Sequence, residues 1–397
     1  MIIDVVAEKL VANSSVIDDF LVDKIVQFTP YFTNSIDLRH NGFKIAPVDC
    51  NVFPAGFNNL ASSSLLQASK KVEFSGKKIL IIGENHTRNI AYFKNLLALR
   101  KILQEAGNEV KIANLLVEEK TFIDVDEKRQ IEICAIVKKR GRILTDDGFN
   151  ADLLVNNNDF SGGRPEVLTN IEQKITPPIE KGWFLRRKSA FFAAYEKLVD
   201  EICALIDLDP WLLKSYFLVE GGLDFKNSIG IENLAFACDA LLNKVKEKYL
   251  QYDIKNDPYC FVKADSGTYG MGVMCVSDGD EILKINKKVR NKMNVVKGHL
   301  KNEQVLIQEG VVTSDLVEKK VCEPLIYLIN GAVIGNLLRI NDERGGKISL
   351  NHPGMSFADI ENFSENNLNL GAKKAQFIKV YAFIAQICAI AAKMEEI

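Results

Sequence analysis

The stretch FVKADSGTYGMGV, residues 261–273, places three glycines, Gly267, Gly270 and Gly272, between two β-patterned runs. Glycines this dense make a hairpin whose backbone N–H groups can close on phosphate oxygens. Lys263, at the end of the incoming strand, brings an ammonium to the same place, and Ser266 stands at the mouth of the turn. The spacing is GxxGxG and the loop joins strand to strand, which excludes the dinucleotide-binding GxGxxG turn that opens a helix. No GxxxxGK[ST] occurs, and the HRD and DFG signatures that accompany another glycine-rich hairpin are absent. Alone, the loop reads either as a tight hairpin or as a nucleotide cradle. Its surroundings decide.

Downstream, the strand VLIQEGV ends in Gln308, Glu309 and Val311. The order of lysine strand, glycine hairpin, helix and Gln-Glu strand resembles the ATP-grasp ligases. That resemblance implies that the strand end is a hinge holding adenine through its backbone. ATP chemistry also calls for magnesium, held by carboxylates and an amide oxygen. Beyond the hinge, Asp342 and Glu343 sit in a polar loop and the tail is helical, so the ligands must come from elsewhere. The pattern occurs near the front. Asp37 lies on one strand and Asp49-Cys50-Asn51 on the next, joined by Asn41-Gly42, a strong hairpin signal. Residues i and i+2 of a strand share a face, so Asp49 and Asn51 can share one cation. The implied fold is α/β: a circularly permuted ATP-grasp domain, its last hairpin moved to the front, plus an open parallel-sheet domain of the pre-ATP-grasp kind.

Residues 3–27 read as one amphipathic helix. From Lys77 onward, KKILIIGENHTRN, a helix from Ile90 to Glu105, EVKIANL, IEICAIVKK and ADLLVNNND alternate as in a parallel sheet, with ligands beyond the strands' carboxyl ends. There Glu84 can take an ammonium, while Asn85, Arg88 and Asn89 combine a cation with a helix start suited to a carboxylate. Near residue 171 the pattern changes. TPP marks a linker, Arg186, Arg187 and Lys188 open a long helix, DPW suggests another helix, and short strands follow a helix from about Ile231 to Tyr252. The expected domains are 1–70, completing the ATP-grasp unit, 71–175, the substrate side, and 176–397, a helical segment with the main ATP-grasp unit.

The 397 residues carry 50 Lys+Arg against 52 Asp+Glu, a formal charge of −2, so nothing electrostatic favours nucleic acid or an anionic membrane. A composition 47% hydrophobic and 26% charged fits a soluble chain of two or three domains. The front carries acids within its apolar stretch and no basic leader, and Val380 to Ala392 is too short to span a bilayer. Eight cysteines without a CxxC spacing read as reduced thiols of a cytoplasmic protein.

Together FKIAPVDCNVFPAGFNNL, GENHTRN, GW followed by RRKS, DPW, KADSGTYGMGVM and LNHPGMSF look like the proteobacterial glutamate–cysteine ligase family with an ATP-grasp fold. The resemblance implies formation of γ-glutamylcysteine from glutamate, cysteine and ATP with Mg2+, through an acyl phosphate. Phosphoryl transfer of this kind rests on positioning and charge neutralisation. The implied roles are Lys263 and Arg339 in catalysis, and Asp37, Asp49 and Asn51 on the metal. Nucleotide contacts would come from Lys263, Ser266, Gly267, Gly270, Gly272, Gln308, Glu309, Val311 and Lys188. Substrate contacts would come from Glu84, Asn85, Arg88, Asn89, Arg187 and Asn351. The partners are then small molecules, without nucleic acid or membrane, and a homo-oligomer is left open. Two alternatives stand beside this reading: another ATP-grasp carboxylate–amine ligase, or a nucleotide-binding protein without turnover.

Overall fold

The computed structural model describes residues 1–84, 89–266, 272–294, 302–341, 345–347, 350–351, 354–364, 368 and 374–395. Among these the strands form three sheets. Ile79-Leu80-Ile81-Ile82 is fully buried, as a strand covered on both faces must be. Its strand, Lys78–Gly83, lies parallel to Glu109–Asn114 on one side and Leu153–Asn156 on the other. Lys174–Thr176 adds a further parallel strand. Arg129–Lys139 lies next, parallel to Glu109–Asn114, and Thr121–Asp126 and Arg142–Thr145 then pair antiparallel with it, which apolar alternation does not distinguish from a parallel continuation. The helix Ile90–Glu105 buries Phe93, Leu96, Leu99 and Ile102, spaced for one helical face.

The second sheet is antiparallel, in the order Phe217–Gly221, Gln304–Glu309, Cys260–Ala264 and Val273–Val276. The helix Ile231–Gln251 lays Leu234, Cys238 and Leu241 into a core shared with Val262 and Ile307 of that sheet.

The third sheet joins the two ends of the chain. Thr33–His40 pairs antiparallel with Ile45–Asn51 on one side and with Lys320–Ile329 on the other, in register from Thr33 opposite Ile329 to Asp37 opposite Leu325. Ala332–Ile340 and Ser356–Asp359 continue the sheet. The helix Lys374–Met394 is, by length and composition, apolar enough to cross a membrane. It exceeds the stretch read from the sequence, and Phe377, Val380, Tyr381, Ile384, Ile387 and Cys388 are buried in the core that includes Ile36 and Ile326.

Three elements differ from the sequence reading. The front helix is two, Ile2–Ala12 and Ser14–Gln27, because the Asn13 side-chain amide donates to the Lys9 carbonyl at 2.8 Å and closes the first. After DPW only a short 3-10 turn forms, Pro210–Leu213, although Asp209 caps it by accepting from the Trp211 N–H at 3.0 Å. The residues that follow supply a strand, Phe217–Gly221, which the sequence reading lacks.

Candidate functional site

The front hairpin lies against the glycine-hairpin strand. The Lys263 ammonium donates to the Val48 carbonyl at 3.0 Å, and Lys188 sits 2.6 Å from Asp49 Oδ1. Asp37 is directly opposite Asp49 across the hairpin, and Asn51 is opposite Ser35. Strand alternation therefore turns Asp37, Asp49 and Asn51 toward one face. Arg339 reaches the same place from Ala332–Ile340, 2.9 Å from Asp37 and 2.7 Å from Glu323. The Glu323 carboxylate also meets Arg39 at 3.3 Å, and Arg39 donates to the Val311 carbonyl at 3.0 Å. A chain of charge contacts thus runs from the hinge to Asp37.

The electrostatics of this cluster are uneven. Burial, reinforced by Glu323 and Asp49, raises the Asp37 carboxyl against the pull of Arg339. Desolvation also pushes Asp49 upward, but Lys188 and Lys263 outweigh it and leave that carboxyl below its ordinary value. Lys263 is lowered to about 7, first by burial and then by repulsion from Lys188, with Asp49 opposing. Hard oxygen donors at Asp37, Asp49 and Asn51 suit a hard divalent cation. The Asp49 side chain is 42% exposed, so it can be reached. Asn51 Oδ1 accepts from the Phe53 N–H at 3.0 Å, which fixes its amide and leaves the oxygen a second lone pair.

Around the glycine hairpin, Gly272 adopts φ +61°, a left-handed conformation that suits glycine, and its carbonyl accepts from the Ala264 N–H at 3.1 Å. Ser266 is half-buried, while Gly267 and Gly270 fall outside the described residues. Asp265 ties the hairpin to the helix Lys188–Leu205. Its carboxylate accepts from the Ser189 N–H and hydroxyl, both at 2.7 Å, and its carbonyl accepts from the Lys188 N–H at 2.8 Å.

At the hinge, Gln308 is buried and its amide nitrogen has no partner among the described residues. The Glu309 carboxylate is part of the core: it accepts from Lys44 at 2.6 Å, from the Trp211 indole N–H at 3.2 Å and from the Tyr216 N–H at 3.0 Å. Gly310 permits a close approach, since a Cβ there would overlap the Tyr259 ring. The Val311 carbonyl is engaged by Arg39, as above.

The strand ends of the parallel sheet form a second wall. Asn85 and Arg88 fall outside the described residues. Glu84 is half-buried, with its carbonyl accepting from Asn114 Nδ2 at 2.7 Å. Asn89 caps the helix Ile90–Glu105 by accepting from the Tyr92 N–H at 3.1 Å. This wall reaches the segment after the strand Ile45–Asn51, because Asn95 and Asn157 both donate to the Pro54 carbonyl, three residues beyond Asn51. Of the basic cluster, Arg186 is buried. It pairs with Glu395 at 2.6 Å and donates to the Cys50 carbonyl at 2.9 Å, anchoring the backbone between Asp49 and Asn51. Arg187 is half-buried and folds onto the Leu185 and Arg186 carbonyls at 2.8 and 3.0 Å. Asn351 is exposed, next to Leu350, whose carbonyl accepts from Asn341.

Sequence reasoning passes over Arg39, Asp265 and Glu323. Arg39 carries a usable signal, lying two residues from Asp37 on the same strand face. Asp265 stands inside the quoted motif. Glu323 is a lone acid in an apolar strand, and nothing local marks it. A separate group, Glu132, Cys134 and Asp147, is close enough to hold a metal, but Lys120 lies 3.2 Å from Asp147 and 3.7 Å from Glu132 and neutralises it.

The profile of the glutamate-cysteine ligase family matches residues 7–396. A provisionally assigned gamma-glutamylcysteine synthetase from Methylobacillus flagellatus KT is similar at 37% identity over 99% of this chain and 96% of its own, with a TM-score of 0.89. D-alanyl-alanine synthetase A from Vibrio cholerae O1 biovar eltor str. N16961 aligns more loosely, at 13% identity over 78% of this chain and 82% of its own, with a TM-score of 0.34. No curated protein sequence matches. The family match spans both the sheet that carries Asp37 and Asp49 and the hairpin that carries Lys263. The chain belongs to the glutamate–cysteine ligase family, enzymes of the ATP-dependent step that opens glutathione synthesis.

Proposed function

We propose that the reaction takes place at the seam between the front hairpin and the Lys263 strand, in a circularly permuted ATP-grasp domain. Residues 1–70 complete the unit of 176–397, and 71–175 form the substrate side. The observation that carries this reading is the pair of contacts from Lys263 to Val48 and from Lys188 to Asp49, which join segments more than a hundred residues apart. The sheet shared by Thr33–His40 and Lys320–Ile329 supports the permutation.

Glutamate's γ-carboxylate oxygen attacks the γ-phosphorus of ATP, and ADP leaves with the electrons of the broken P–O bond. The cysteine amine then attacks the acyl-phosphate carbonyl, loses a proton, and displaces inorganic phosphate. Lys263, Lys188 and the hairpin amides, with Ser266, Gly267, Gly270 and Gly272, neutralise and orient the triphosphate. The Gln308–Val311 backbone holds the adenine. Arg339, kept aligned by Glu323, faces the transferring phosphoryl group. Glu84, Asn85, Arg88, Asn89, Arg187 and Asn351 supply the contacts for the amino-acid substrates. Asp37, Asp49 and Asn51 would hold Mg2+, which when bound neutralises phosphate charge.

Mass identification of the product from glutamate, cysteine, ATP and Mg2+ tests the reaction, and a panel of amine acceptors tests its scope. Only cysteine-like amines should stimulate phosphate release. Equal stimulation by unrelated amines would point to another carboxylate–amine ligase. Asp49→Asn should abolish turnover at unchanged thermal stability, and a fully active variant would refute the site.

Lys263 also predicts a proton linkage. With a pKa lowered to about 7, it is mostly neutral in the free enzyme at pH 8, whereas bound phosphates favour its charged form. ATP binding at pH 8 should therefore take up about one proton. The calorimetric binding enthalpy would then vary with the ionisation enthalpy of the buffer. No such variation would rule the linkage out.

A further inference from the structure

We propose that Lys188 is exchanged between Asp49 and the nucleotide, so that divalent metal and ATP assist each other's binding. The inference rests on the metal assignment above and adds a coupling to it. The Lys188 ammonium lies 2.6 Å from Asp49 Oδ1 and its side chain is 11% exposed, so the pair is a close and partly dry contact. The Asp37 carboxylate is already matched by Arg339. A divalent cation arriving at Asp49 therefore meets the Lys188 ammonium at close range, where repulsion between partly desolvated charges is strong.

The backbone of Lys188 is held by contacts other than those of its side chain. It is the first residue of the helix Lys188–Leu205, and its N–H is held by the Asp265 carbonyl beside the glycine hairpin. The four-carbon stem can thus swing without disturbing the helix. Its ammonium lies 4.6 Å from the centre of the Trp183 ring, a face that tolerates a cation as it moves. A triphosphate next to the Asp265 hairpin gives the released ammonium a new partner. The metal frees Lys188 for the phosphates, and the phosphates draw Lys188 from the metal's carboxylate. Coupling between two equilibria of this kind is reciprocal.

Mn2+ is the probe for the metal, and a non-hydrolysable ATP analogue is the probe for the nucleotide. Titrated without nucleotide, Lys188→Met should bind Mn2+ about tenfold more tightly than wild type, and Lys188→Arg should stay near wild type. The analogue should lose at least about tenfold in affinity for Lys188→Met when Mn2+ is present, but only about twofold in EDTA. Lys188→Gln serves the same purpose if the methionine variant does not fold. Unchanged or weaker Mn2+ binding in the neutral variants, or an equal analogue loss with and without metal, overturns the exchange. Asp49→Asn separates the two levels. If it loses Mn2+ while Lys188→Met behaves as wild type, the exchange alone is wrong. If it binds Mn2+ like wild type, the metal assignment falls and the exchange falls with it.

Discussion

Replacing Lys263 by methionine is expected to slow ADP formation by roughly a thousandfold, the scale of losing one preorganised charge or donor at a transition state. The same change should leave the melting temperature close to wild type. The two effects separate because the ammonium is poorly solvated where it sits. Its pKa of about 7 reflects burial first, with repulsion from Lys188 next, so the free enzyme holds it at a cost. Methionine keeps the length of the side chain and removes the buried charge; the hydrogen bond to the Val48 carbonyl, about 1 kcal/mol, and the attraction to Asp49 are lost, and relief of the desolvated charge offsets them. Coupled ADP release and thermal melts on the same preparation read both quantities. A rate within about tenfold of wild type would remove Lys263 from the reaction, since charge neutralisation is most of what a protein contributes to phosphoryl transfer. A collapsed melting temperature would instead make it a structural cation.

Local chemistry made part of this site legible. The Asn41-Gly42 turn announces itself because Asn41 Oδ1 accepts from the Phe43 and Lys44 N–H groups, at 3.0 and 2.8 Å, a bond set by neighbouring residues alone. The lysine strand and its glycines are equally local. The helix Ile90–Glu105 matches its apolar spacing because its cap, Asn89, directly precedes it. The break at Asn13 escapes because apolar spacing continues through it, and a single side-chain hydrogen bond decides the matter.

What the sequence does not carry is register. The Arg39–Glu323 and Asp37–Arg339 contacts exist only because Thr33–His40 and Lys320–Ile329 pair with Asp37 opposite Leu325. A slip of one residue would turn each of those side chains to the other face. Strand Phe217–Gly221 is hidden for a related reason: it is a half-exposed edge strand whose partner, Gln304–Glu309, lies far along the chain. The family resemblance bridged that gap for Asp37 and Asp49, whose partner strands are adjacent. It offered nothing for Glu323.

Glu309 ends the strand Gln304–Glu309, and its side chain is tied into the core. Glu309→Ala is expected to lower stability by about 3–5 kcal/mol, the usual cost of stripping one partner from a buried ion pair. That is a large share of the roughly 5–15 kcal/mol that holds a domain folded. The Lys44 side chain is 1% exposed, with its ammonium 2.6 Å from Glu309 and 4.0 Å from the centre of the Trp211 ring. Without the carboxylate, Lys44 keeps that ring and the attraction of Asp209, and the Trp211 and Tyr216 N–H groups lose their acceptor. Burial already lowers Lys44 to about 8 although Glu309 pulls it upward, so the variant should lower it further. A lysine depressed in the folded state binds fewer protons there than in the unfolded chain, so stability rises with pH across that window. The variant's deficit should thus be larger at pH 7 than at pH 9, as urea melts at the two values can show. The double change Lys44→Met with Glu309→Leu should recover most of the loss, because an apolar pair needs no partner charge. A single variant that lost less than about 1 kcal/mol would mean water reaches Lys44. One that lost ATP binding at full stability would move the Glu309 carboxylate from the core to the nucleotide.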